Sequence, residues 1–239
     1  MDLTFGLAAV IGIAPAMVLM YIVLKKYTYP AVEKPFFSDP SFFGLFVVGM
    51  ISGTILFAVY TYFWGNVIIN AILFAILECM IVLVVLNLKR FHGKSDTVFY
   101  GYGLGLGFGA TMSMGMIYFL MAIVTSSGES VDASGYIILM IMAISKTLIL
   151  SAVGLTIGEG IAKLRLMEFT MQAILVNMVY QLVMVPWFMY SGEWSGYLAL
   201  GLGLVIALAY FYKTAFLDLP RVIRMVLRQE GKKRNDIPK

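Results

Sequence analysis

The chain has 239 residues, of which 61% are hydrophobic and 13% are charged. A typical soluble domain has about 25% charged residues, and a chain of this length cannot bury so much apolar surface around one core. The composition therefore excludes a soluble enzyme or binding domain and predicts an integral membrane protein. With one cysteine and one histidine, the sequence also argues against an internal disulfide and against a zinc or histidine-rich metal site. We expect no metal site and no cofactor.

Seven apolar runs are each longer than the roughly 18 residues that mark a candidate membrane-spanning helix. The runs are continuous and do not alternate with polar residues, so they predict helices and not a transmembrane β-barrel. The predicted fold class is an all-α, polytopic membrane bundle of about seven transmembrane helices. In chain order the predicted helices cover residues 3–24, 41–64, 67–88, 97–124, 135–161, 165–190 and 196–215.

Basic residues alternate from one predicted connection to the next. All Lys and Arg residues except Lys146 fall in the first, third and fifth connections and in the C-terminal region that begins at Lys213. The second, fourth and sixth connections have no basic residue, and they contain Glu129, Asp132 and Glu193. By the positive-inside rule this pattern predicts an external N-terminus and a cytoplasmic C-terminus in a multi-pass protein of the cell membrane. Topology accounts for the basic charge, so the expected partner is the lipid bilayer and no nucleic acid.

The alternation divides the chain into a seven-helix transmembrane domain, residues 1–217, and a basic cytoplasmic tail, residues 218–239. In the tail, Arg221, Arg224 and Arg228 recur at helical spacing beside apolar residues. This spacing predicts a short interfacial helix on the anionic cytoplasmic leaflet. A solvated basic tail after the last span is the alternative that the sequence leaves open.

Two ionisable residues lie in the middle of predicted spans. Glu78 and Lys146 each follow about eleven residues after the external end of their helix, which places both roughly 16 Å deep at 1.5 Å per residue. A charged side chain at the bilayer centre costs roughly 2.5–3.5 kcal/mol on insertion scales, so neither residue is expected to face lipid. Their matched depth and opposite charge predict a buried ion pair or a neutral hydrogen-bonded pair.

Further polar residues are expected near this depth. Ser113 lies in the fourth predicted helix and Asn177 in the sixth, at similar depths, and Gln181 lies one turn closer to the external end of the sixth. Together with Glu78 and Lys146 they predict one polar pocket inside the membrane. The sequence shows no complete catalytic set, and Glu78 and Lys146 are the two candidates for such a role.

The fourth predicted helix has glycine at every second position from Gly101 to Gly109. On a helix Gly101, Gly105 and Gly109 share one face, and Gly103 and Gly107 share another. Faces of small residues let helices approach closely in membranes, so we expect this helix at the centre of the bundle. A phosphate-binding loop is not favoured, because no strand precedes the glycines and no Gly-Lys-Ser/Thr sequence follows them.

The segment Asp-Thr-Val-Phe-Tyr-Gly at 96–101, followed by Gly-Leu-Gly-Phe-Gly-Ala at 105–110, resembles the PrsW family of intramembrane proteases. That family shows Asp-x-x-x-Tyr-Gly and Gly-Leu-Gly-Phe-Ala stretches after a glutamate-bearing helix, and the resemblance covers about residues 10–185. It implies kinship with the CAAX prenyl proteases and with the non-catalytic scaffold subunit of gamma-secretase. It also implies a helical bundle with a polar pocket that opens within the membrane.

Most of the family's catalytic positions are substituted in this chain. The family's paired glutamates with a following lysine are represented by Glu78 alone, and Cys79 follows it. The family's Glu-Asn motif would fall near residues 112–114, where no acid is present, and its two histidines would fall near Lys146 and Asn177. Activation of water needs a general base and an oriented partner, and of these Glu78 alone remains as a candidate base.

Three functions are compatible with these residues. The resemblance favours a catalytically degenerate member that acts as a membrane scaffold, or binds a transmembrane segment of another membrane protein, through the pocket around Glu78 and Lys146. An active glutamate-dependent intramembrane peptidase with an atypical site is the first alternative, because a buried lysine can act as a base. A channel or transporter that uses the same polar layer is the second alternative, against which the lack of paired broken helices argues.

Overall fold

A computed structural model of the chain describes residues 3–63, 65–126, 128, 131–190, 193–229 and 231. Its helices are α1 (Leu3–Leu24), α2 (Asp39–Tyr62), α3 (Val67–Leu86), α4 (Thr97–Ser126), α5 (Ala133–Ala162), α6 (Leu166–Met189), α7 (Trp194–Tyr212) and α8 (Leu219–Gln229). A short 3₁₀ turn, Lys89–Phe91, precedes α4, and a π-helical segment, Lys213–Asp218, joins α7 to α8. The described residues contain no strand.

Seven of the helices are long and apolar enough to cross a membrane. The all-α membrane bundle expected from the sequence is therefore confirmed, and the helices begin and end within a few residues of the predicted positions. The main difference is at the C-terminus, where α7, the π-helical segment and α8 form one continuous run of 36 helical residues. No break in the helix marks residue 217, so the division into a membrane domain and a tail stays a prediction.

Two helices, α4 and α5, form the core of the bundle. Residues 97–113 of α4 and residues 145–162 of α5 are buried without interruption. Helix α4 packs against α1, α2 and α5, and α5 in turn contacts α3, α6 and α7. The fourth helix is thus central, as expected, but it shares this position with α5, for which the glycines at 154 and 158 were the sole packing signal in the sequence.

The two glycine faces of α4 lie against different neighbours. Gly101, Gly105 and Gly109 face α5, and Gly103 and Gly107 face α2. A Cβ atom added at Gly101 would lie 2.2 Å from the carbonyl oxygen of Gly154 in α5, and one added at Gly107 would lie 2.0 Å from that of Phe46 in α2. The missing side chains therefore allow direct backbone contact of α4 with both α5 and α2.

The connections that carry basic residues lie together at one end of the bundle. The amide of Gly93 in the third connection donates to Ile161 O next to the fifth, at 3.3 Å. Lys26 in the first connection lies 5.3 Å from the ring centre of Phe216 in the π-helical segment. Which side of the membrane this end faces remains a prediction of the positive-inside rule. Glu129 and the tail from residue 232 onward lie outside the described residues.

The tail forms the expected helix, α8. Its buried residues are Leu219, Pro220, Val222, Ile223, Val226 and Leu227, and all three of its arginines are exposed. The apolar side of α8 packs into the same core cluster as the spanning helices, so that side is not free to enter lipid. Whether the arginine side contacts the cytoplasmic leaflet remains a prediction.

Candidate functional site

An ion pair between α3 and α5 lies inside the bundle. Glu78 of α3 is fully buried, and Lys146 of α5 is 5% exposed. Lys146 Nζ donates to Glu78 Oε1 at 2.6 Å. The contact expected from the matched depths of these two residues is therefore confirmed. Because both side chains are buried in the bundle, each charge depends on the other to offset its cost of burial.

Two amide side chains of α6 complete the surroundings of Glu78. Asn177 Nδ2 donates to Glu78 Oε2 at 3.0 Å, and also to Ala75 O at 3.0 Å. Gln181 Nε2 lies 3.3 Å and 3.2 Å from the two carboxylate oxygens of Glu78. The spacing of four residues places both amides on the same face of α6. The Glu78 carboxylate therefore holds α3, α5 and α6 together.

This arrangement determines what Glu78 can do chemically. A carboxylate has about four lone-pair sites, and the donors from Lys146, Asn177 and Gln181 occupy both oxygens of Glu78. A general base must reach the proton of a water or substrate with a free oxygen lone pair. In this structure Glu78 is an organising acceptor between three helices and not an exposed base.

Ser113 lies apart from the Glu78 carboxylate. Its Oγ donates to Ala143 O at 3.3 Å and lies 3.5 Å from Thr147 Oγ1. These contacts tie α4 to α5. The structure thus brings four of the five predicted pocket residues into one hydrogen-bonded group, and it places Ser113 beside that group.

A cavity lies between α4, α5 and α6, and its empty volume is about 380 Å³ including its mouth. Its polar lining comes from Ser113, Lys146, Tyr180 and Gln181. Its apolar lining consists of Met116, Ile117, Met142, Ala143, Met184 and Phe188. The enclosed part is narrow and holds on the order of one water molecule. Glu78 and Asn177 do not line this cavity. Glu78 lies behind the wall and accepts hydrogen bonds from two residues that do line it, Lys146 and Gln181.

Two groups at the cavity have hydrogen-bonding capacity that the described residues do not fill. An ammonium group has three donors. Within the described part of the chain the Lys146 ammonium donates one hydrogen bond, to Glu78, and its Nζ lies 5.9 Å from the centre of the Tyr180 ring. Gln181 uses its Nε2 on Glu78, and no described residue donates to Gln181 Oε1. The cavity therefore presents N–H donors and a carbonyl acceptor next to each other.

Sequence reasoning missed a second buried polar group, which lies closer to the basic end of α5. Glu159 is 8% exposed and pairs with Lys163, the C-cap residue of α5, one turn later. Thr156 Oγ1 and Tyr210 OH are 2.6 Å apart and connect α5 to α7. The Glu-Lys spacing of four residues is the signal that could have identified the pair.

The single cysteine and histidine lie in different surroundings. Cys79 is buried, with its Sγ 3.8 Å from Asn177 Nδ2. His92 is exposed, and its Nε2 lies 3.0 Å from Asn87 Oδ1 in the connection before α4. Among the residues that the structure describes, no group of three or more His, Cys, Asp or Glu could hold a metal ion.

Comparisons of the chain with protein-family models, with curated proteins and with solved structures found no match. The resemblance to the PrsW family therefore depends on the sequence motifs and the glutamate helix described above.

Proposed function

We propose that the protein is a non-catalytic, PrsW-like protein of the cell membrane, and that it binds transmembrane segments of other membrane proteins through the cavity between α4, α5 and α6. One observation carries the proposal. Both oxygens of Glu78 are used to hold three helices together, whereas Lys146 and Gln181 keep unfilled hydrogen-bonding groups at a cavity that opens at the surface of the bundle.

The substituted family positions support the absence of catalysis. Lys146 and Asn177 stand where the resemblance would place the two histidines, and both donate to Glu78. The positions of the family's two catalytic histidines are therefore taken by residues whose hydrogen bonds engage Glu78, the one candidate for a general base. Glu78 is also fully buried and does not line the cavity, so a water molecule in the cavity does not contact its carboxylate.

The lining of the cavity supports binding of an apolar helix. Three methionines, Met116, Met142 and Met184, form much of its wall. Methionine side chains are flexible and polarizable, and they adapt to partners of different shape. A scaffold or binding protein of the bilayer needs such an apolar contact surface together with a few polar groups that fix the position of the partner.

The binding function is tested by site-specific photocrosslinking. A photoreactive residue at Met116 lies at the cavity, and one at Met140, which is on α5 and 49% exposed, is the matched control outside it. The purified full-length protein in nanodiscs is mixed with single-span peptides that have Leu-Ala cores and one central polar residue. We expect crosslinking from Met116 to exceed crosslinking from Met140 at least severalfold. Equal yields from both positions would refute a binding site at the cavity.

The same mixture distinguishes binding from proteolysis. Mass spectrometry of the peptides after incubation with the wild-type protein should show intact peptides. Fragments that appear with the wild type and disappear with Glu78→Gln would overturn the non-catalytic assignment and support a glutamate-dependent peptidase.

A further inference from the structure

We infer that the cavity recognises a neutral carboxamide side chain, asparagine or glutamine, near the middle of the partner's transmembrane segment. This inference rests on the binding function proposed above, and it adds the chemical identity of the group that enters the cavity. Three properties of the described residues lead to it: the charge of the site, its unfilled hydrogen-bonding groups, and its size.

The charge of the site selects a neutral group. Lys146 and Glu78 form a 2.6 Å pair, so the positive charge at the cavity already has its counter-charge. A carboxylate entering the cavity would compete with Glu78 for Lys146, and an ammonium group would lie next to Lys146. Either one would leave a charge without a partner at membrane depth, which is costly. A neutral polar group avoids this cost.

The unfilled groups select a side chain with both an acceptor and a donor. Of the three N–H groups of Lys146, one donates to Glu78 and the ring of Tyr180 lies 5.9 Å from Nζ, which leaves an N–H that no described oxygen or nitrogen accepts. Gln181 Oε1 is an acceptor to which no described residue donates. A primary carboxamide carries a carbonyl acceptor and an NH₂ donor on one carbon atom. It can accept from Lys146 and donate to Gln181 at the same time.

The size of the cavity selects a single side chain. The enclosed part holds on the order of one water molecule, whereas a helix with its side chains is about 10 Å across. A partner helix must therefore lie across the mouth between α4 and α6 and insert one side chain. Met116 and Met184 stand in the wall around the inserted group and can adjust to it.

The depth of the polar groups predicts where the carboxamide stands in the partner. Gln181 precedes the end of α6, at Met189, by about 12 Å along the helix axis. The hydrocarbon core is about 30 Å thick, so a side chain that reaches Gln181 comes from the middle third of a spanning segment.

The experiment compares peptides that differ at one central residue, Asn, Gln, Leu, Asp or Lys, and measures their affinity for the full-length protein in nanodiscs by energy transfer. We expect the Asn or the Gln peptide to bind about tenfold tighter than the Leu peptide, which corresponds to about 1.4 kcal/mol. The Asp and Lys peptides should not bind tighter than the Leu peptide. If the Asp peptide bound tighter than the Leu peptide, the inference of a neutral ligand would be overturned.

Two variants locate the effect without disturbing the ion pair. Met116→Trp fills the cavity wall and should abolish the preference for the carboxamide, whereas Met140→Trp on the exposed side of α5 should retain it. Infrared spectra of a ¹³C-labelled side-chain carbonyl give a second readout. The carbonyl band should shift to lower frequency on binding to the wild type and to Met140→Trp, and it should not shift with Met116→Trp.

The outcomes separate this inference from the proposed function. Crosslinking at Met116 with equal affinities for the Asn, Gln and Leu peptides would overturn carboxamide recognition and leave the binding function standing. Absence of cavity crosslinking with every peptide would overturn both.

Discussion

At the scale of single residues, the pair of Glu78 and Lys146 makes the most direct stability prediction. Lys146→Met leaves the Glu78 carboxylate buried without a counter-charge, which should lower the free energy of unfolding by about 3–5 kcal/mol. The double variant Glu78→Gln/Lys146→Met removes both charges and should be more stable than Lys146→Met alone. Unfolding of the wild type, Glu78→Gln, Lys146→Met and the double variant in one detergent gives the coupling energy. Additive effects of the two substitutions would contradict a direct pair.

Asp132 allows a prediction about the pH dependence of stability, because it is the N-cap of α5 and precedes the membrane-spanning segment Ala133–Ala162. Its carboxylate accepts hydrogen bonds from Ser134 Oγ at 2.7 Å and from the Gly135 amide at 2.8 Å. These hydrogen bonds lower the pKa of Asp132 in the folded protein. A lowered folded pKa means that the stabilisation is complete above the unfolded pKa of about 3.9 and is lost as the pH falls through the folded pKa.

The measurement for Asp132 is the melting temperature of the wild type and of Asp132→Ala, taken from pH 7 to below the unfolded pKa of about 3.9. The wild type should melt at the higher temperature at pH 7, and the difference should shrink below about pH 3.9. Asp132→Asn keeps a neutral acceptor for the Gly135 amide, so its advantage over Asp132→Ala should not change with pH. A constant difference between the wild type and Asp132→Ala at every pH would refute the role of the ionised cap.

The residue scale also shows what the sequence could predict about the site. The depth of a residue follows from the fixed rise of 1.5 Å per residue, so counting along each span is enough to match Glu78 with Lys146. Depth does not determine the direction in which a side chain points around its helix. Asn177 and Ser113 have similar predicted depths, yet Asn177 contacts Glu78 and Ser113 contacts Ala143 instead. The cavity could not be predicted for the same reason, because its lining depends on how α4, α5 and α6 are rotated about their axes.

At the scale of elements, the close contact of α2 with α4 predicts unequal effects of two Gly→Ala substitutions. A Cβ atom at Gly107 would lie 2.0 Å from Phe46 O, so Gly107→Ala must push the helices apart. We expect a loss of about 1–3 kcal/mol in unfolding free energy, as for other overpacked sites. The matched control is Gly44→Ala in α2, where no atom lies within 4 Å of the added Cβ atom. The control should be neutral, or stabilising by up to about 1 kcal/mol because alanine favours helix. Equal losses in both variants would contradict backbone contact at Gly107.

Helix α8 shows which properties of an element its own sequence determines. Its apolar and basic residues alternate with helical period, and this pattern correctly predicted a helix. The pattern did not show what the apolar side contacts, because lipid and a protein surface are equally suitable apolar environments. In the structure Ile223 and Val226 are fully buried against the bundle, so α8 packs on protein along that side.

At the scale of the whole molecule, the same limit explains why the number of helices was predictable and their arrangement was not. A membrane span is identified by its length and its mean hydropathy, and both are high in each of the seven helices. Lipid-facing and core-facing residues of a membrane protein are both apolar, so composition does not separate them. The glycines marked α4 as a packing helix, whereas α5 joined the core without a comparable signal over much of its length.

Thiol labelling tests the predicted orientation of the molecule in the membrane. Cys79 is fully buried, so the protein should not react with a membrane-impermeant maleimide before a cysteine is added. Ala31→Cys lies in the first connection and Ala133→Cys at the start of α5, and both positions are exposed. In intact cells the maleimide should label Ala133→Cys and leave Ala31→Cys unlabelled, and after permeabilisation it should label both. The reverse pattern would place the basic end outside.

The cavity extends from Lys146 toward the end of α6 at Phe188, which is the end opposite the basic connections. The labelling result therefore also determines whether a partner segment meets the cavity in the outer or the inner half of the membrane.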